Sequence, residues 1–233
     1  MEPVEAAKKN AALAAVKHIK DGFIVGLGSG STIAYAIEAL GERIKKENLH
    51  ILSIPSSYQA FALAVKNKIP ITTFEEHPVI DVDIDGADQI DPKLNLIKGM
   101  GAALAREKIV AAASKQNIII ADEKKRVQVL GETNHPVPIE VLTFAIAPVM
   151  RSIEKLGGKA MLRETKGKLG PVISDNGNAI MDATFGPIHD ATKLERTLKM
   201  IPGVVETGLF INLTDIVYLG TVSGTEKLES KRK

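Results

Sequence analysis

The chain has 233 residues, and lysine plus arginine exceed aspartate plus glutamate by only two, so it can form one large or two modest domains and shows no charge excess pointing to nucleic acid. The absence of cysteine excludes disulfides, thiol nucleophiles and Cys-based zinc sites. Met1 to Glu5 holds no apolar signal core and no apolar run approaches a membrane span; the expectation is a soluble cytoplasmic protein whose basic end, Lys231-Arg232-Lys233, is a solvated tail.

In chain order, Glu5 to Lys20 has helical spacing and Phe23 to Val25 reads as a short strand. Thr32 to Lys46 is helical, followed by a strand at His50 to Ile54, a helix at Ser57 to Asn67, and strands near Ile71 to Thr73 and Val79 to Asp85. A helix at Ala102 to Ser114 and a strand at Asn117 to Ala121 continue an alternation that predicts a parallel sheet wrapped by helices. The grammar changes after Val129. His135-Pro136-Val137-Pro138 is an extended linker or strand entry, leading to a strand around Ile139, a helix at Val149 to Leu156 and a strand at Lys159 to Arg163. Strands at Val172 to Ser174 and Ala179 to Asp182 flank Asp175-Asn176-Gly177-Asn178, which reads as a hairpin turn and nothing more. A helix at Ala191 to Met200 and a strand at Val204 to Thr207 complete a small, mostly antiparallel α+β unit. Asp215 to Gly220 is then a buried strand returning to the first sheet.

The chemistry concentrates at strand ends. Val79, Ile80, Val82 and Ile84 make a buried strand that Gly86 breaks, leaving Asp85 and Asp88 at its carboxyl end, where open α/β sheets bind ligands. The glycines of Lys98-Gly99-Met100-Gly101 open a helical segment whose first N–H groups favour an anion, and Glu107 falls near the middle of that helix. Two carboxylates, a lysine, an anion hole and a third carboxylate suit proton movement on a polar, anionic substrate. Gly26-Leu27-Gly28-Ser29-Gly30-Ser31-Thr32 lies between a strand and a helix and suits a phosphate. It lacks the lysine of a Walker loop and the third glycine of a dinucleotide fingerprint, and the next strand ends in Pro55 rather than an acid. Asp81-x-Asp83-x-Asp85-Gly86 imitates the start of a calcium loop but places Pro92 at the twelfth position, where a bidentate acid is needed. The histidines, His18, His50, His77, His135 and His189, have no metal-ligand spacing.

Gly28-Ser29-Gly30-Ser31-Thr32, Asp85-Gly86-Ala87-Asp88, Lys98-Gly99-Met100-Gly101-Ala102, Arg106-Glu107-Lys108 and Ala121-Asp122-Glu123-Lys124-Lys125 occur in one order. Together with Val137-Pro138-Ile139-Glu140-Val141, Ser174-Asp175-Asn176-Gly177-Asn178 and Ile201-Pro202-Gly203-Val204-Val205-Glu206, they closely resemble the type A ribose-5-phosphate isomerases over nearly the whole chain. The resemblance implies an α/β fold: a Rossmann-like, mostly parallel sheet (1–130 plus 208–233) with a smaller inserted ferredoxin-like α+β lid or oligomerisation domain (131–207). It implies interconversion of ribose 5-phosphate and ribulose 5-phosphate in the non-oxidative pentose phosphate pathway, with no metal or cofactor, by a homodimer or homotetramer. Carried over by position, the resemblance implies that Glu107 is the proton-transferring base, that Asp85 and Asp88, with Gly86 and Ala87 between them, contact the sugar hydroxyls and assist ring opening, and that Lys98 and the backbone of Gly99, Met100 and Gly101 stabilise the oxyanion. It also implies that Lys8, Ser29, Gly30, Ser31, Thr32 and Lys125 bind substrate near its phosphate.

Three positions depart from the family pattern: Ser29 for a common threonine, Gln89 for a frequent glutamate, and Met100 for a usual glycine. A methionine at Met100 is strained if that position needs positive φ. A non-catalytic sugar-phosphate sensor on the same fold would carry a DNA-binding module, for which the single helix before Phe23 leaves no room.

Overall fold

The computed structural model describes residues 2–230, so the basic end at 231–233 lies outside the described residues. After α1 (Pro3–Ala15), β1 (Ile24–Leu27) leads to α2 (Ser31–Glu47), β2 (Leu52–Pro55), α3 (Tyr58–Lys66) and β3 (Val82–Gly86). Short strands β4 (Gln89–Ile90) and β5 (Leu96–Ile97) precede α4 (Leu104–Ala112) and β6 (Asn117–Asp122). Next come β7 (Val137–Val141), α5 (Ile146–Lys155), β8 (Lys159–Leu162), β9 (Glu164–Thr165), β10 (Lys168–Pro171), β11 (Ala179–Thr184), α6 (Ala191–Lys199) and β12 (Val204–Thr207). The last strands are β13 (Leu209–Phe210), β14 (Ile216–Thr221) and β15 (Gly224–Glu229).

Two expected elements are shorter or slighter than their sequence suggests. The first helix stops at Ala15, tightening into a 3₁₀ turn at Val16–His18, because Arg43 donates to the carbonyls of Val16 and Ile19. Ile71 forms a single bridge to Ser53 rather than a strand. No helix among the described residues is long and apolar enough to cross a membrane.

The chain divides into two units, and the first contains residues up to Ala87, Arg106–Lys125 and everything from Leu213 on. Its sheet has the order β15-β14-β6-β3-β1-β2, parallel throughout except for the edge strand β15. As the sequence implied, Ile216–Thr221 returns beside β6. The apolar faces of β1, β3 and β6 (Val25, Leu27, Val82, Ile84, Ile118, Ile120) pack with Ile33, Ile37 and Leu40 of α2 and with Ala11 and Ala15 of α1. From β1 the chain moves outward to β2, then crosses back to β3 on the other side of β1. That reversal opens a crevice beyond the carboxyl ends of β1 and β3, the usual ligand position in doubly wound sheets.

The second unit comprises Asp88–Ala105 and Arg126–Asn212. Residues 88–105, which the sequence boundaries put with the parallel sheet, pack here because Ile97 joins Val137, Ile139, Val149, Ile153 and Leu198 in one apolar core. The four-stranded sheet has the order β12-β7-β11-β8, antiparallel throughout, with α5 and α6 in the connections, which is ferredoxin-like topology. The Asp175–Asn178 turn does more than reverse the chain. Fully buried Glu140 on β7 accepts from Ser174 Oγ (2.8 Å), Asn176 Nδ2 (3.0 Å) and Asn178 Nδ2 (2.8 Å) through one oxygen, tying the turn to the sheet.

Candidate active site

In the first unit, the crevice at the ends of β1 and β3 is built by two loops that touch. Gly28 N–H donates to Ile84 O (2.9 Å), so the loop after β1 continues along β3. Asp85, 2 % exposed, accepts from Ser29 N–H (3.2 Å) and Gly86 N–H (2.7 Å) through Oδ1. A Cβ at position 28 would lie 1.9 Å from that same oxygen, so glycine is required there by contact with a carboxylate. Gly30 caps α2 at φ +108°, a conformation that disfavours a side chain, and its N–H donates to Gln59 Oε1 (2.9 Å). Ser31 and Thr32 form the first turn of α2, whose N–H groups lack intrahelical acceptors and suit an anion. Ser29 Oγ lies 3.1 Å from Ser56 Oγ and donates to Ser57 Oγ (2.6 Å), so the strand-end hydroxyls after β1 and β2 form one cluster.

Lys8 and Lys125 make no hydrogen bond to this loop among the described residues. Lys8 donates to Glu5 Oε1 (3.0 Å), and Glu5 is held below the usual carboxylate range by the Tyr35 hydroxyl and then by Lys8. Lys125 ends the 3₁₀ turn Glu123–Lys125 that follows β6, at the same end of the sheet as Asp85.

Glu107 is 4 % exposed and is the fourth of the nine residues of α4, near the middle of this short helix as expected and still within its first turn. The expected start at Ala102 is delayed because Gly99 (φ +104°) and Ala102 (φ +64°) form a tight turn closed by Ala102 N–H donating to Gly99 O (3.0 Å). Those four residues cannot also be helical. A first-turn carboxylate is favoured by the helix's unpaired N–H groups. Arg106 places its guanidinium 5.5 Å from the Tyr58 ring centroid.

The second unit carries the lysine and the anion loop. Lys98 is 3 % exposed, its N–H donates to Gly208 O (2.9 Å), and its ammonium stands 5.3 Å from the Phe210 ring centroid. Asp88 Oδ2 accepts the Met100 N–H (3.1 Å), while the Asp88 N–H donates to Ile97 O (2.8 Å). Positive φ falls on Gly99 and Ala102, and Met100 is free of it, so the methionine causes no backbone strain. At Gly99, an added Cβ would also crowd Leu104 and Pro138, at 3.0 and 3.1 Å.

Sequence reasoning missed the loop's brace. Arg163 donates through Nη1 to Gly99 O (2.8 Å) and Met100 O (2.9 Å), and is itself held by an ion pair with Asp182. Nothing local marks Arg163, which precedes β9 in an ordinary polar stretch. Ser56, Ser57 and Gln59 were also missed, although Pro55-Ser56-Ser57 repeats the hydroxyl-rich strand ending seen at Ser29. Among the described residues, no group of three or more His, Asp or Glu is arranged to hold a metal ion.

A family model described as ribose 5-phosphate isomerase A (phosphoriboisomerase A) matches residues 52–224. Ribose-5-phosphate isomerase A of Methanothermobacter thermautotrophicus is 48% identical over 221 residues, covering 95% of this chain and 96% of that one. The solved structure of ribose 5-phosphate isomerase A from Methanocaldococcus jannaschii superposes with a TM-score of 0.93 at 43% identity, covering 97% of this chain and 99% of that chain. A D-ribose-5-phosphate isomerase solved in complex with phospho-erythronic acid gives 0.94 at 46% identity, covering 98% and 100%. With its motifs, sheet order and matched length in agreement, the chain belongs to the ribose 5-phosphate isomerase A family.

Proposed function

We propose that this chain interconverts D-ribose 5-phosphate and D-ribulose 5-phosphate through an enediolate, as a cytoplasmic aldose–ketose isomerase of the non-oxidative pentose phosphate pathway. The observation that carries this reading is the family match over most of the chain. The reaction moves one proton from C2 to C1 and another from O2 to O1, so it needs a carbon base, a store for oxyanion charge and a grip remote from both. Glu107 takes the C2 proton and returns it to C1 from one face of the intermediate. Lys98 and the backbone N–H groups of Gly99–Gly101 hold the charge that develops on O1 and O2. Asp85 and Asp88 bind sugar hydroxyls and exchange the proton needed to open the furanose ring. Ser29–Thr32, with Lys8 and Lys125, grip the 5-phosphate, supplying binding energy away from the reacting carbons. Neither a metal nor an organic cofactor enters any of these steps.

The ligand of the structural relative supports the scheme. Phospho-erythronic acid carries a phosphate at one end and, at the other, a planar carboxylate with the charge and shape of an enediolate. Glu107→Gln keeps the side chain's size and removes the basic oxygen. It is expected to lower kcat by about 10²- to 10⁴-fold with KM nearly unchanged, as measured by ketose formation from ribose 5-phosphate. Near wild-type turnover would move the base to another residue, Asp85 or Asp88 first.

The antiparallel unit is proposed to serve as the oligomerisation domain of a homodimer or homotetramer. Phe144, Leu169 and Met200 there are 99%, 98% and 80% exposed, apolar side chains that a second copy of the chain would cover. Light scattering at micromolar concentration should give a multiple of the chain mass, and a monomer would refute the assignment.

A further inference from the structure

A second cavity, of about 620 Å³, opens in the first unit at the end of the sheet opposite Ser29 and Asp85. Its walls come from the 3₁₀ turn after α1 (Lys17, His18), the approach to β1 (Lys20, Phe23), the residue before β6 (Gln116) and Tyr218 on β14. The volume falls in the range of small-molecule sites, roughly 300–1,000 Å³. We propose that this cavity binds a small organic phosphate, with Lys17 and Lys20 supplying the cations and the rings of Phe23 and Tyr218 receiving the ligand's apolar body.

The charges around the cavity select an anion. Lys17 and Lys20 are exposed, and neither has an acidic partner among the described residues. The acids nearby are already engaged. Asp81, on the cavity wall, accepts from Ile24 N–H (2.8 Å) and from Lys115 Nζ (2.7 Å). Glu229 pairs with Lys227, and Asp21 turns to His50, accepting its backbone N–H (2.6 Å). Lys17 and Lys20 thus have no ion-pair partner among the described residues and the opening keeps a net positive charge, which disfavours a cationic ligand and gives a neutral one no counterpart for the lysines. The polar floor is fixed in place. His18 Nε2 and the Tyr218 hydroxyl lie 2.8 Å apart, their rings tilted at 60° with centroids 5.8 Å apart. Phe23 and Tyr218 are half-buried against the apolar core, so each offers one ring surface backed by packed side chains. Fixed rings and two ammonium groups around one opening match a phosphate ester with a planar or aliphatic body.

Phenyl phosphate, titrated into the full ¹⁵N-labelled protein and followed by amide NMR, tests the assignment. Shifts are expected at Lys17–Phe23 and Gln116, and phenol should not reproduce them. Lys17→Ser/Lys20→Ser should weaken these shifts roughly tenfold or more in ligand concentration, since two charge-assisted contacts are lost. Because both lysines are exposed and outside the catalytic set, the variant should fold and turn over ribose 5-phosphate as before. Shifts confined to Gly28–Thr32, shifts at Lys17–Phe23 that survive the double substitution, or an equal response to phenol would each overturn the proposal. Failure of the Gly28–Thr32 response alone would count against the phosphate grip of the proposed isomerase and leave this cavity's assignment standing.

Discussion

At the scale of single residues, the backbone around Lys98 shows what a motif can and cannot reveal. The glycine pattern of Lys98-Gly99-Met100-Gly101 marks an anion loop, and the sequence directs suspicion of strain to Met100. The strained residue is Ala102, at φ +64°, one position past the glycines. An alanine there bears about 1–2 kcal/mol of left-handed strain, while glycine would cost about 0.4–1 kcal/mol through its freer unfolded chain. Ala102→Gly is therefore expected to stabilise the protein by roughly 0.5–1 kcal/mol, read as a higher urea midpoint at unchanged slope. Arg163 could not be read from the sequence for the opposite reason. Its contacts with Gly99 and Met100 span more than sixty positions and leave no local periodicity or spacing to detect.

At the scale of elements, strongly patterned segments were legible and weakly patterned ones were not. The alternation of apolar strands with amphipathic helices gave β1 to β3, β6 and β14 within a few residues, because burial on both faces of a parallel sheet leaves an unbroken apolar run. Strands β4, β5 and β13 have two residues each, too few for any period to register. Edge strand β15 is polar along most of its length, since one of its sides has no neighbouring strand and much of it faces water. The hairpin before β11 was recognised as a turn, but its anchor was not. Val137–Val141 and Ser174–Asn178 are separate motifs in the sequence, and only folding brings Glu140 beneath the turn. Glu140→Ala should leave three donors without their shared acceptor and cost about 2–4 kcal/mol, while Glu140→Gln, which keeps one acceptor oxygen, should cost less. Thermal unfolding of the two variants side by side checks that order.

At the scale of the whole molecule, class and topology were readable because they follow from the order of elements, whereas the side on which residues 88–105 pack was not. Residues 88–105 follow the parallel strand in sequence but bury Ile97 in the other unit's core, and no composition shift announces the change. Stability against acid is a further whole-molecule property. Burial, and then the nearby charge of Lys227, hold His18 below the ordinary histidine pKa of about 6.5. The unfolded chain therefore binds a proton more readily than the folded one. His18's contribution is intact above about pH 6.5 and is lost as pH falls from there toward the folded-state pKa. In His18→Asn, the dependence of unfolding free energy on pH should flatten across that window, as measured by urea titrations at a series of pH values.

The contact between Gly28 and Asp85 has an evolutionary corollary. The space a side chain would need at position 28 is already filled by the carboxylate of Asp85, so no larger residue can enter at 28 while Asp85 stays. A survey of single replacements would find both positions intolerant and would assign the intolerance to catalysis in each case. At position 28 the cause is exclusion: the loop proposed to hold the phosphate owes its bareness to the acid proposed to open the sugar ring. Descendants of this sequence are thus barred from placing a side chain at position 28 without first surrendering the carboxylate at position 85.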